Sequence, residues 1–91
     1  MLLVLDPRKG HEVVADKVQL ELAEELFKGK KVVVEGDTQA KARELLTTGY
    51  SLYEATFNER GGVTELVERV YNPLVVDPTK SYAALLPMSG G

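Results

Sequence analysis

The chain contains no cysteine and no tryptophan, one histidine, and only 7% aromatic residues. Without cysteine it has no disulfide framework, no thiolate metal site and no cysteine nucleophile. The single histidine, His11, follows Gly10 in a turn-rich stretch, a setting that suits a solvated loop residue better than a general base or a ligand. Long apolar runs are also missing. Met1 to Leu5 is ended by Asp6-Pro7, too short for the core of a signal peptide, and nothing approaches the roughly 20 residues of a membrane span. The expectation is therefore a soluble, cytoplasmic or otherwise intracellular protein, with no membrane among its partners.

Positive charge is scarce as well. Eleven Lys and Arg face 14 Asp and Glu, a net charge of -3, which argues against nucleic acid as a partner because phosphate binding needs a dense basic surface. Ala42-Arg43-Glu44-Leu45-Leu46 followed by Gly49-Tyr50-Ser51-Leu52 has the look of a helix-turn-helix opening. The segment that would then read bases, Val63 to Arg69, has two glutamates and one arginine and would repel phosphate. Catalytic constellations are absent too. Glu24 and Glu25 are adjacent and point apart on a helix, and Gly61-Gly62 lacks the lysine and hydroxyl of a phosphate loop. The chain is expected not to be an enzyme and to hold neither metal nor cofactor.

What remains, over 91 residues with 44% hydrophobic and 27% charged side chains, describes one small globular domain. Leu2 to Leu5, the turn Asp6 to Gly10, and His11 to Ala15 form a first hairpin. Lys17 to Lys28 carries a capping pattern at Asp16 and Gln19, a stop at Gly29 and helical spacing of Leu22 and Leu26. Val18, Leu20 and Leu22 also alternate as a strand would, so helix and strand both stay open. Val32 to Val34 is the most strand-like run. Asp37 or Thr38 then caps a helix reaching about Thr48, with Ala42, Leu45 and Leu46 as its apolar stripe and Gly49 as its stop.

Leu52 to Phe57 fits a strand or a short helix, and Glu59 to Gly62 a turn. Val63, Leu66, Val67, Val70 and Tyr71 recur at i, i+3, i+4, i+7 and i+8, a helical pattern, although Val67 to Tyr71 also contains strand formers. After Asn72-Pro73, Leu74 to Val76 is expected to be a strand, Asp77 to Lys80 a turn, and Ser81 to Leu86 the closing strand. The sum is an α+β domain over residues 1–86, with four or five strands and two or three short helices, followed by a tail, 87–91. Two glycines at the end of such a tail have a physical use. Without Cβ atoms, the last peptides can thread a narrow channel and present a carboxylate inside another protein, about 13 Å beyond Pro87.

Ala84-Leu85-Leu86-Pro87-Met88-Ser89-Gly90-Gly91 resembles the closing strand, proline and Gly-Gly tail of the ubiquitin-like sulfur carriers, the ThiS/MoaD family. Lys31 to Thr38, with the helix around Ala42 to Leu46, is similar to that family's second strand and following helix, and Phe57 to Gly62 to its middle loop. Pro78-Thr79-Lys80-Ser81 stands where the family usually has an acidic and glycine turn. The resemblance implies a β-grasp-like sheet of four to five strands packed on one or two helices. It also implies that the carboxylate of Gly91 is adenylated with ATP and converted to a thiocarboxylate for cofactor biosynthesis. Ser89 and Gly90 would supply a slim tail, and Leu85, Leu86, Pro87 and Met88 would dock the partners, an adenylating enzyme and a sulfur-accepting enzyme. The other reading is a structural subunit, for example of a virion or complex, whose strands and termini add to copies of itself or to other subunits.

Overall fold

A computed structural model describes residues 1–6, 10–34 and 36–86. Six strands form one mixed sheet: β1 (Leu2–Leu5), β2 (Glu12–Ala15), β3 (Lys31–Val34), β4 (Ser51–Phe57), β5 (Val63–Val70) and β6 (Tyr82–Leu85). Two helices, α1 (Leu20–Leu26) and α2 (Thr38–Thr47), follow β2 and β3. The spatial order is β3-β2-β1-β6-β4-β5. The β1–β6 and β2–β3 pairs are parallel, and β1–β2, β4–β6 and β4–β5 are antiparallel.

Side-chain alternation divides the core in two. On the α2 face, Leu2, Val4 and Val14 pack with Ala42 and Leu45 of the helix and with Leu52, Tyr82 and Ala84. On the opposite face, Met1, Leu3, Val13 and Ala15 pack against Ala23 of α1 and Phe27 at its C-terminal cap. Strands buried on both faces read as unbroken apolar runs, which is why Leu2-Leu3-Val4 and Val13-Val14-Ala15 show no polar alternation.

Local capping decides the ambiguous segment after β2. The Asp16 carboxylate accepts from the Gln19 amide at 2.9 Å, satisfying a donor at the start of a helical turn that a strand would not need. Residues 20–26 accordingly form α1, and the strand alternative for Lys17 to Lys28 does not hold. Asp37 caps α2 by accepting from the Ala40 amide at 3.0 Å, and Gly49, at φ 99°, takes the left-handed conformation that ends it.

Of the two readings of Val63 to Tyr71, the strand holds, over Val63–Val70. The Gly61-Gly62 turn returns the chain onto β4, and β-branched Val63, Thr64, Val67 and Val70 favour the extended form. The apparent helical period arises from two register shifts against β4, where Val67 and Thr64 are extra residues: Glu68 pairs Glu54 but Leu66 pairs Ala55, and Glu65 pairs Thr56 but Val63 pairs Phe57. Leu74 to Val76 is not a strand; Pro73–Val75 forms a 3₁₀ turn. Asn72 caps it by accepting from the Leu74 amide at 3.0 Å, and Pro73 presets the helical φ at its first position. The sheet therefore has six strands rather than four or five.

The hairpin between β4 and β5 is locked against α1. Asn58 accepts from the amides of Arg60 and Gly62, both at 2.9 Å. Gly61, at φ 76°, lies so close to Phe27 that a Cβ there would stand 2.6 Å from the ring. Phe27 in turn meets Phe57 edge to face, with centroids 5.4 Å apart.

Gly61→Ala is expected to lower stability by about 1–3 kcal/mol, from left-handed backbone plus collision with a buried ring. Gly29→Ala, at φ 85° with open space around its Cβ, is expected to cost only the backbone part. Urea unfolding midpoints of the two variants separate the contributions. The turn before β6 supplies an acid-sensitive element. Asp77 accepts from both the hydroxyl and the amide of Thr79, and these bonds hold its carboxyl below the ordinary aspartate range. The folded value being the lower one, the stabilisation is present above the unfolded value of about 3.9 and fades as the pH falls through the folded value. Carboxyl NMR titration of Asp77 should show the depressed midpoint, and Asp77→Asn should flatten that part of the acid unfolding curve.

Candidate protein-interaction surface

Of the residues expected to act, Pro87, Met88, Ser89, Gly90 and Gly91 lie outside the described residues. Leu85 and Leu86 are half-buried. Leu85 pairs with Leu5 on one side and Ser51 on the other, so it is a constituent of a central strand more than a free docking residue. His11 is exposed and borders a cleft of about 370 Å³ whose wall mixes Lys31 and Lys41 with Asp6, Glu12 and Glu44. Tyr50 on this cleft has its phenol pushed up by burial and by Asp6. Among the described residues no three His, Asp or Glu side chains are grouped so as to hold a metal ion.

A second groove, about 540 Å³, lies between α2 and the 3₁₀ turn. Gln39 crosses its end, donating to the carbonyls of Leu74 at 3.2 Å and Val76 at 3.0 Å, so its walls are tied together. Asp37, Arg43, Glu44, Thr47 and Thr48 share its walls with Ala40, Pro73 and Leu74.

The third groove has a different character. The seven residues of α1 span about 10 Å, while six strands span roughly 24 Å between the outer two. On this face the α1-side core takes in Met1, Leu3, Val13 and Ala15 and reaches β4 at Phe57, while β5 stays exposed from Val63 to Arg69. Alternation along β4 turns Tyr53, Ala55 and Phe57 to this face and Leu52, Glu54 and Thr56 to the α2 face. A groove of about 450 Å³ lies here, lined by Met1, Leu22 and Leu26, by Ala55, Phe57 and Val67, and also by Glu54, Thr56, Lys80 and Ser81. Leu22 is 53% exposed, Leu66 43% and Val67 49%.

The strip continues along the sheet. Tyr53 and Tyr71 flank the Arg69 guanidinium, whose central carbon is 5.9 Å and 5.0 Å from the two ring centroids. The Ser51 hydroxyl accepts from Arg69 at 3.3 Å. Stacking of this kind fixes an exposed arginine that would otherwise lose rotamer freedom on contact with a partner. Tyrosine, arginine and apolar anchors beside a groove are the residue types that dominate binding energies at protein interfaces.

The sequence leaves Val63 to Tyr71 open between a helical period and a strand, and neither reading marks Val63, Leu66, Val67 and Tyr71 as surface. The signal that identifies them is the pair Asn58 and Gly61-Gly62 between two stretches rich in β-branched and aromatic residues, which marks a hairpin. Its second strand is the outermost of the sheet. No family model, curated protein or solved structure matches this chain.

Proposed function

We propose that the protein is a non-catalytic assembly subunit that docks a protein partner on the open half of its sheet. The observation that supports this most is the group of exposed apolar side chains at the 450 Å³ groove, Leu22 and Val67 in its walls and Leu66 next to Val67 on β5. Scattered apolar side chains are normal on any surface, but a connected patch around a groove is the usual mark of a binding site. The acidic-and-basic cleft at His11 offers no comparable apolar anchor.

A sulfur-carrier role is favoured by one specific feature. With β3 set aside, the strands run β2-β1-β6-β4-β5, with β1 parallel to β6 and α2 packed on one face. That is the order of the β-grasp sheet of ubiquitin-like proteins. In such a carrier the closing strand lies in the middle of the sheet, as β6 does, and the segment after it, Pro87 to Gly91, presents the Gly91 carboxylate to an adenylating enzyme.

The two roles separate experimentally. In extracts of cells that make the protein, size-exclusion chromatography is expected to place the wild type in a complex larger than the single chain. Leu66→Asp combined with Val67→Asp should shift it to the free-chain position, with circular dichroism unchanged because both side chains are already exposed. An affinity loss of about tenfold or more is expected from the pair. Elution of wild type and variant together would remove the docking role. For the carrier role, incubation with ATP, a sulfur donor and an adenylating enzyme should replace one oxygen of the Gly91 carboxylate by sulfur, read by intact-protein mass spectrometry. An unchanged mass under conditions that modify a known carrier would remove that role.

A further inference from the structure

We infer that the partner docks as an extended segment laid along β5, with apolar residues alternating with Lys or Arg; this rests on the docking role proposed above and names what the surface takes. The outer side of β5 faces no other strand among the described residues. An edge strand offers backbone donors and acceptors that a partner strand can use. What distinguishes β5 is that its two faces differ in chemistry.

Pairing with β4 assigns the faces. Val63 lies opposite Phe57 and Leu66 opposite Ala55, on the side of the apolar groove. Glu68 lies opposite Glu54 and Glu65 opposite Thr56, on the α2 side. Lys80, which pairs with Glu54 at 3.3 Å, is the basic side chain this acidic row already holds. Both β5 glutamates are exposed. Between its ends, a strand added to β5 meets Leu66 and the exposed Val67 on the groove side and Glu65 and Glu68 on the α2 side. An alternating apolar and basic sequence satisfies both sets at once.

A second copy of the chain does not. If two β5 strands pair antiparallel about the midpoint of Leu66 and Val67, the apolar residues meet, but Glu65 of each copy stands opposite Glu68 of the other. Two like-charge pairs result, a destabilising arrangement. Centring the pair on Val67 would oppose Glu65 to Arg69. The extra residue at Val67 puts those two on different faces, however: Arg69 stacks on Tyr53 and Glu65 lies opposite Thr56. The β-bulges thus exclude the self-complementary register that the sequence of β5 otherwise contains.

The test is a titration of the whole 91-residue chain with an eight-residue peptide of alternating lysine and valine, its glutamate–valine counterpart, and a block peptide with the same lysines and valines unmixed. Amide chemical shifts and fluorescence anisotropy, each at low and high salt, are the readouts. The alternating lysine peptide is expected to bind, to shift amides of β5 together with Leu22 and Leu26, and to weaken with salt. Glu65→Lys combined with Glu68→Lys should reduce its affinity about tenfold or more and confer binding of the glutamate peptide. Equal binding of the glutamate or block peptide by the wild type, shifts centred on α2, or sedimentation of the chain as a dimer with β5 amides protected would overturn the inference. If no peptide binds while Leu66→Asp with Val67→Asp still releases the cellular complex, the strand-like occupant falls and the docking role stands. If neither effect is seen, both fall.

Discussion

The parallel ladder between β1 and β6 joins everything else. Strands β3, β2 and β1 come from residues 2–34 and strands β6, β4 and β5 from residues 51–85, so the sheet consists of two halves that meet along one seam of four residue pairs. The seam is reinforced at its start, where the Tyr82 amide donates to the Met1 carbonyl and the Met1 amine donates to the Lys80 carbonyl and to Gln19. Burial holds that amine below its usual range despite the opposing pull of Asp16. Both faces of the seam are covered by core, with Leu2 and Tyr82 below α2 and Leu3 on the α1 side. Neither half has its own complete core. Loop closure between segments nearly eighty residues apart must precede the reward, so the seam also makes folding slow for a chain of this size.

Much of this was legible where local chemistry is strong. The β1–β2 hairpin, the run Val32 to Val34, the Asp37 cap and the Gly49 stop each depend on neighbours within a few residues, and each forms as the sequence predicts. Lys17 to Lys28 was undecided because its alternation and its helical period overlap, and the Asp16 cap decides it. Val63 to Val70 stays open in the sequence for a tertiary reason. Two bulges against β4 displace its apolar residues from strict alternation into a spacing that mimics a helix. Pairing registers are not written in any local window.

The same strand explains why the interaction surface escaped notice. A patch is visible in a sequence only when its residues are adjacent, and here Leu22 comes from α1, Phe57 from β4, and Leu66 and Val67 from β5. What brings them together is the pairing of β5 on β4 and the contact of Phe27, at the end of α1, with Phe57. Leu85 is held between Leu5 and Ser51 in the sheet interior, while the tail expected to dock partners lies outside the described residues. The proposed docking role uses the outer strand β5 instead.

The bulges in β5 have a consequence for how large an assembly can grow. A sheet edge that accepts its own copy propagates without limit, because every addition recreates the acceptor. An edge whose charges and register refuse its own copy but admit a different strand is consumed by a single addition. In the proposed docking role such an edge closes the β5 side of a shared sheet after one added segment, with β3 as the outer strand of the opposite side.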